Sequence, residues 1–553
     1  MTPSLNAWIG CCLLASFICL ACSGSSWSQV FDERFEDWPI DLKIDGTIVA
    51  CDSLDSLLAL DGWSDSLADE ELLLVSSQGE HLETIADQLK AKGCAVHSVS
   101  LEQLAIGDLT KSIVIWSDDR NATAVSTGER ERLQTAFDRH LRAQGTLVVV
   151  GPQIRLLSKV AMVDDEEGRA TVKPGLNLFP DCILEVVEAL PLHSYKQTET
   201  PKRPGTVEDS LSEVLTAHPR CVGVRVMSGS ALTLRGRKLQ VFGGRAELFL
   251  PPDDQVGLTS QIIREPRSPR ESPSKWLIDL TQWRRRAIDH TLEPFPPEMP
   301  QVPEVPNGTL IIAGGGGLPS GLMEEFVELA GGIERAKLVY VPCEEEDEVS
   351  DRQGQVESWR QMGVKVATFI HTKDRKKANQ DDAFLEPLKN ATGIWFGGGR
   401  QWNFADSYYG TQAHRLMKEV LHRGGVIGGS SAGASIQARY LARATPIENV
   451  EIIAPGYERG GLGFIAGVAI DQHFSQRRRH ADMTQLINRY PQLLGIGIDE
   501  ETAIVVQKSM ARVIGAGKVH FYDSRRSRAP GDPDYEALAE GESYDLAKRE
   551  IID

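Results

Sequence analysis

Gly425-Val426-Ile427-Gly428-Gly429-Ser430-Ser431-Ala432-Gly433-Ala434-Ser435-Ile436 carries more structural information than any other stretch of this chain. Its first four residues read as a short buried strand, and Ala432 onward has helix-forming composition. Between them lies a G-x-S-x-G turn, Gly429 to Gly433. A nucleophile at a strand-to-helix turn needs small neighbours, because the turn is strained and its flanks pack against each other. The Ser431 hydroxyl then stands at the C-terminal edge of a sheet, and the Ala432 N–H, next to the helix start, can donate to an oxyanion. The plainer reading is a Gly/Ser turn with no chemistry.

Outward from this turn, short apolar runs alternate with helical patterns. Thr309 to Ala313, Lys337 to Pro342, Val364 to Ile370, Gly393 to Phe396 and Gly425 to Gly428 read as strands; Gln355 to Met362 and Thr411 to Arg423 read as helices. This alternation predicts a doubly wound α/β domain whose mostly parallel sheet is covered on both faces. The first half repeats the pattern, with strands at Glu71–Val75, Ile113–Trp116 and Thr146–Val150 and helices at His81–Lys92 and Glu129–Arg142. Ile113 to Asn121 can be laid on Gly393 to Gln401, Gly175 to Leu178 on Gly461 to Phe464, and Pro219 to Leu232 on Pro491 to Ile504. Ordered matches at similar spacing suggest an internal duplication. In the first copy Val150-Gly151-Pro152-Gln153 stands opposite the serine turn, so that copy is expected to be catalytically silent.

Between Pro251 and Pro306 prolines recur, which predicts an extended linker with one short helix within Lys275–Thr291. At the N-terminus, Trp8 to Cys22 is an apolar run of signal-peptide length, followed by Ser23-Gly24-Ser25-Ser26. Export follows from this reading, by cleavage near Ser28 or, through the imperfect lipobox Cys19-Leu20-Ala21-Cys22, with a lipid anchor at Cys22. A retained membrane anchor is the alternative. The expected organisation is a leader over 1–28, a degenerate α/β domain over 29–250, a linker over 251–306, the α/β domain that carries the serine turn over 307–525 and a tail over 526–553.

A formal charge of −19 argues against a broad nucleic-acid surface. Outside the leader the cysteines are scattered singly, so neither a disulfide framework nor a metal site is indicated, and no cofactor is expected. Gly314 to Gly317 lacks the Lys-Ser/Thr ending of a phosphate loop, and no nucleotide site is assigned to it.

A serine hydroxyl needs a base, and His is the usual one near neutral pH. Asp471-Gln472-His473-Phe474 ends the apolar run Phe464 to Ile470, read as another strand of the same sheet, which places His473 on the edge that carries Ser431. Arg477, Arg478 and Arg479 follow, either as a carboxylate-binding cluster or as a solvated basic helix start.

Taken together, Gly428 to Ala434, Gly461-Leu462-Gly463, Ile470 to Phe474 with Arg477 and Arg479, and Gly495 to Ala503 resemble the cyanophycinase family, relatives of the bacterial α-aspartyl dipeptidases. The resemblance covers roughly Thr309 to Asp523. It implies a glutamine-amidotransferase-like (flavodoxin-like) α/β fold and hydrolysis of β-Asp-Arg units without a metal. Carried over by position, it implies Ser431 as nucleophile, His473 as base, Gly398, Gly399 and Ala432 on the oxyanion side, and Gln401, Asp471, Gln472, Arg477 and Arg479 in substrate binding. The triad acid is expected between the serine and the histidine, at Glu448 in preference to Glu451. The implied partner is a peptide or poly-aspartyl-type substrate, with either a homodimer or an intramolecular pseudo-dimer as the assembly.

Two departures bear on substrate. Arg400 stands where the family has an aspartate, and Asp482 where it continues an arginine run. A different amidase chemistry or a non-catalytic binding protein on the same fold are the alternative readings.

Overall fold

The computed structural model describes residues 44–553, apart from 59–70, 76–78, 100–112, 118–124, 165–169, 188–206, 254–256, 269, 350–353, 449–450, 528 and 553. The leader and Cys22 lie outside the described residues.

The N-terminal half is built on β1 (Thr47–Cys51), β2 (Glu71–Val75), β3 (Ala95–Val99), β4 (Ile113–Ser117) and β5 (Thr146–Val150). A hairpin follows, β6 (Val160–Asp164) and β7 (Ala170–Pro174), then β8 (Cys182–Val187) and β9 (Val222–Met227). The half closes with β10 (Ala231–Arg235), β11 (Lys238–Phe242), β12 (Arg245–Asp253), β13 (Gly257–Arg264) and β14 (Leu277–Asp279). Among the described residues these strands form one sheet in the order β3-β2-β4-β5-β1-β10-β11-β14 and a second in the order β8-β9-β12-β13.

In the C-terminal half, β15 (Val305–Ala313), β16 (Lys337–Cys343), β17 (Val366–Phe369), β18 (Gly393–Gly399) and β19 (Val426–Ser430) make a parallel core. They are followed by β20 (Ala438–Tyr440), β21 (Ile465–Gln472), β22 (Leu494–Ile498), β23 (Thr502–Lys508), β24 (Met510–Gly515), β25 (Val519–Tyr522), β26 (Tyr535–Leu538), β27 (Ser543–Asp545) and β28 (Glu550–Ile552). The sheet orders are β17-β16-β18-β19-β15-β23-β24-β27-β28 and β20-β21-β22-β25-β26. Apolar side chains cover both faces of the larger sheet. Leu310 and Ile312 of β15 pack with Ile427 and Phe396, while Ile311 and Ala313 face Phe326, Trp359 and Trp395.

The two halves share a topology. Each has a five-stranded parallel core continued by antiparallel strands, three in the first half and four in the second, and each has a second sheet in which parallel strands, two in the first half and three in the second, are followed by two antiparallel strands. Register carries the correspondence to single residues. Cys51 lies opposite Val150 in the first half and Ala313 opposite Ser430 in the second, so Gly151 occupies the place of Ser431. Both halves also make the same hydrogen bond. Gly151 N–H donates to Cys51 O at 2.9 Å, and Ser431 N–H donates to Ala313 O at 3.0 Å.

Three expectations are corrected. Much of the proposed linker belongs to the N-terminal half: β12 and β13 pair antiparallel, β14 joins the large sheet and Leu280–Asp289 is a helix. Pro251 and Pro252 sit where the β12–β13 register shifts, a place where the missing donors cost no ladder bond. Residues 526–553 are not a tail. β26 closes one sheet and β27 and β28 extend another, and Tyr544 stacks on Phe521 with ring centroids 4.0 Å apart. Finally, β21 lies in the second sheet rather than beside β19, although its end still reaches the same edge.

The serine turn is tight enough to test. A Cβ added at Gly433 would lie 2.1 Å from Phe396 O, and one at Gly429 would lie 2.2 Å from Gly433 O. Because the obstacle is backbone, Gly433→Ala is expected to lower stability by about 1–3 kcal/mol in a denaturant titration. An unchanged midpoint would contradict this packing.

Candidate active site

β19 ends one residue before Ser431, and a short helix, Ala432–Ser435, starts one residue after it. Ser431 therefore makes the whole reversal by itself, at φ 56° and ψ −114°. A non-glycine residue in such a conformation costs about 1–3 kcal/mol and persists only where its surroundings enforce it. The Ala432 N–H stands in the first turn of the helix, where no intrahelical acceptor exists for it. Gly398, exposed at the end of β18, lies across the sheet edge from it: a Cβ there would lie 3.6 Å from Ser431 Cβ.

His473 follows directly on β21 and also has a positive φ, 51°. Its Nε2 lies 2.9 Å from Ser431 Oγ, and its Nδ1 lies 2.6 Å from Glu500 Oε1. A carboxylate at Nδ1 selects the Nδ1–H tautomer, leaving Nε2 free to accept the serine proton. Burial lowers the His473 pKa below its ordinary value; the Glu500 hydrogen bond pulls it up, and the nearby Arg477 charge pushes it down again. The imidazole is thus a neutral base at neutral pH.

The strand pairing explains why these groups meet. β21 and β22 are parallel and in register, Gln472 opposite Ile498, so the turns that follow them leave the same edge side by side. Those turns are stapled together. Phe474 N–H donates to Ile498 O at 3.1 Å, Ser475 N–H to Asp499 Oδ1 at 2.9 Å, and Glu500 N–H to Gln476 Oε1 at 3.0 Å. Burial favours the neutral form of Asp499, but hydrogen bonds from His520 and Ser475 outweigh it and hold the pKa at about 2. The glycine run after β15 supplies the floor. His473 N–H donates to Gly314 O at 2.9 Å, and a Cβ on Gly315 would lie 2.4 Å from the His473 ring. One on Gly316 would lie 2.5 Å from the Glu500 carboxyl carbon.

Beside the triad lies a buried ion cluster. Asp471 is fully buried and accepts from Arg443 at 2.9–3.2 Å and from Arg479 at 2.8 Å. Arg443 also donates to Asp482 at 2.7 Å. Arg479 donates further to Gln472 O at 2.7 Å. Arg477 and Arg478, by contrast, are exposed.

The model of Peptidase family S51 matches residues 310–514. This region is a family S51 peptidase domain. The cyanophycinase of Geminocystis herdmanii is 29% identical over 206 residues, 37% of this chain and 75% of that protein. That of Synechococcus elongatus is 29% identical over 213 residues, 37% of this chain and 63% of that protein. A peptidase from an acI-B1 Actinobacterium, solved by crystallography, is 24% identical, with 43% of this chain and 97% of that chain covered at a TM-score of 0.32.

Within the S51 domain the structure brings together Ser431, His473, Gly398 and Ala432 and leaves Gly399 beside Cys343, where a Cβ would lie 2.8 Å from Cys343 O. It does not bring Glu448 to the histidine. The Glu448 carboxylate is bonded to the Ser272 hydroxyl and accepts from Ser274 N–H at 3.3 Å, and Glu451 is exposed. Glu448 is thus turned toward the N-terminal half, whereas Glu500 arrives on the turn after β22, beside the one that carries His473. Gln401 is also corrected. It is fully buried, with Nε2 donating to Ala442 O at 2.9 Å and also to Arg443 O, and so supports backbone rather than facing a substrate. Asp471, Gln472 and Arg479 are buried in the ion cluster and are likewise turned away from solvent. Arg477 alone among these is exposed near the base. The signal that could have found Glu500 was the pairing of two apolar runs, Phe464–Ile470 and Leu494–Ile498, each ending in polar residues.

Two measurements follow. Glu500→Gln is expected to lower kcat by about 10²–10⁴-fold, as loss of the orienting acid does in a serine triad, while Glu448→Gln changes it less than about twofold. The reverse ranking, from steady-state kinetics on the folded variants, would return the acid to Glu448. Removing the Arg477 charge by Arg477→Gln takes away a group that disfavours the imidazolium. The His473 pKa then rises, and the acidic limb of the kcat/KM–pH profile moves to higher pH; a limb that stays in place or moves down would contradict the assignment.

Proposed function

We propose that this chain is an exported serine peptidase that hydrolyses aspartyl or isoaspartyl peptide bonds, in the manner of its cyanophycinase relatives. The observation that carries the reading is the line from Ser431 Oγ to His473 Nε2 at 2.9 Å and from His473 Nδ1 to Glu500 Oε1 at 2.6 Å. Ser431 attacks the carbonyl carbon as its proton passes to His473 Nε2. Glu500 stabilises the resulting imidazolium, and the oxyanion is received by the Ala432 N–H and the Gly398–Gly399 backbone. His473 then returns the proton to the leaving amine, giving an acyl-enzyme on Ser431. A water activated by the same imidazole releases the acid product. No step calls for a metal or cofactor.

Arg477, exposed beside the base, is the group best placed to read a substrate carboxylate, with Arg400 next to the oxyanion glycines as a second cation. The run Glu344-Glu345-Glu346-Asp347-Glu348 leaves the same sheet edge after β16, and its last four residues are exposed, which suits a cationic side chain on the substrate. Export rests on the apolar run Trp8 to Cys22, with a free form or a lipid anchor at Cys22 as its two outcomes. The N-terminal half is read as a silent duplicate: shared strand order and Gly151 in the place of Ser431 support that history, and a glycine there leaves no hydroxyl to attack.

The test incubates the protein and its Ser431→Ala variant with cyanophycin and with α- and β-aspartyl dipeptides, products being read by mass spectrometry. Ser431-dependent release of aspartyl products is expected. Cleavage of none of these substrates, or cleavage that survives in Ser431→Ala, would overturn the proposal.

A further inference from the structure

The halves meet through a second buried ion cluster that the hydrolytic steps do not use. Asp406 lies in the wholly buried helix Trp402–Tyr408, with its side chain only 1% exposed. Two guanidinium groups bond its carboxylate, and both come from the N-terminal half. Arg285, on the Leu280–Asp289 helix, donates to Oδ1 at 2.6 Å, and Arg237, at the β10–β11 turn, pairs with Oδ2. Arg237 is itself held by Asp279 at 2.5 and 2.9 Å, and the Tyr457 hydroxyl donates to Asp406 at 3.0 Å. The guanidinium of Arg285 lies over the Tyr457 ring at 4.6 Å, and that of Arg237 over Trp402 at 4.9 Å. Arg237 and Arg285 face Asp279 and Asp406 in this buried interface, and Lys373 and Arg375 of the C-terminal half lie close to the Asp406 carboxylate. Stripping one partner from such a set strands the other charge.

The position of this helix matters for the site. β18 ends at Gly399, and only Arg400 and Gln401 separate it from the first helical residue, Trp402. Gln401 is pinned to Ala442 O and Arg443 O, so there is little slack between the helix and the Gly398–Gly399 turn beside Ser431. The contact is reinforced nearby, where Gln282 Nε2 donates to Pro455 O at 2.9 Å and Arg459 pairs with Asp289 at 3.2 Å.

We propose that the N-terminal half is a built-in positioning subunit of the peptidase. Its Arg237 and Arg285 grip Asp406, hold the Trp402–Tyr408 helix, and through it fix the Gly398–Gly399 turn in the geometry that turnover needs. The inference rests on the oxyanion role proposed above for that turn. Arg237 and Arg285 are positioning residues; neither touches the reacting atoms.

The experiment uses full-length Arg285→Met and Arg285→Lys proteins. For Arg285→Met, kcat per folded molecule is expected to fall about 10–100-fold, with KM kept within about threefold, because a displaced turn impairs the transition state more than binding. Amide hydrogen exchange over residues 397–408 should accelerate in parallel. Arg285→Lys, which keeps the charge and loses the planar fork, should recover part of both, and it supplies the same two readouts if Arg285→Met does not fold. A purely structural role predicts a lower melting temperature with kcat per folded molecule unchanged and faster exchange confined to residues 277–289; that outcome would overturn the proposal. If the unaltered protein cleaves no substrate, the peptidase reading fails, while the exchange comparison still decides whether Arg285 holds the turn.

Discussion

A serine held at φ 56° between a strand and a helix is the constraint from which the rest of the site follows. The conformation is unfavourable on its own and survives because everything around it is small or fixed. Ser431 N–H is tied to Ala313 O, Gly429 and Gly433 pack backbone against backbone, and Phe396 O leaves no room for a side chain at Gly433. The strain has a use: it lifts the hydroxyl clear of the sheet edge, where the turns after β18, β21 and β22 converge on it.

The N-terminal half shows the same frame without the constraint. Gly151 takes the equivalent place at φ 88°, in the glycine-favoured region, with the equivalent hydrogen bond to Cys51 O. A glycine there offers no hydroxyl and takes up this conformation at little cost. A buried acid persists at a second matching position: Glu185 on β8 corresponds by register to Asp471 on β21, and each is paired with arginine. In the first half the pair joins β8 to β9, and in the second it ties Asp471 to Arg443 and Arg479 on the segments beside β21.

Much of this was legible in the residues. G-x-S-x-G after an apolar run located Ser431, and a histidine ending the next apolar run located His473, because nucleophilic chemistry needs both at one sheet edge. The parallel strands stood out as short continuous apolar segments, and the stretch Val150 to Gln153 opposite the serine turn was visible in the internal alignment. What escaped was set by pairing in space. Glu500 meets His473 because β21 and β22 lie in register, which spacing along the chain does not reveal. Gln401, Asp471 and Arg479 have the residue types of a binding site, yet burial turns them into internal supports. Residues 526–553 lack long apolar runs, but Tyr544 and Leu546 are fully buried and anchor short strands that pattern alone does not pick out.

The central claim is that Ser431 carries the acyl group. Protein quenched in acid during turnover of an aspartyl peptide, then digested and sequenced by mass spectrometry, reports on it directly. The account predicts an acyl adduct on the peptide containing Ser431 that is absent from the Ser431→Ala variant. An adduct on any other residue, or turnover with no covalent species, would contradict it.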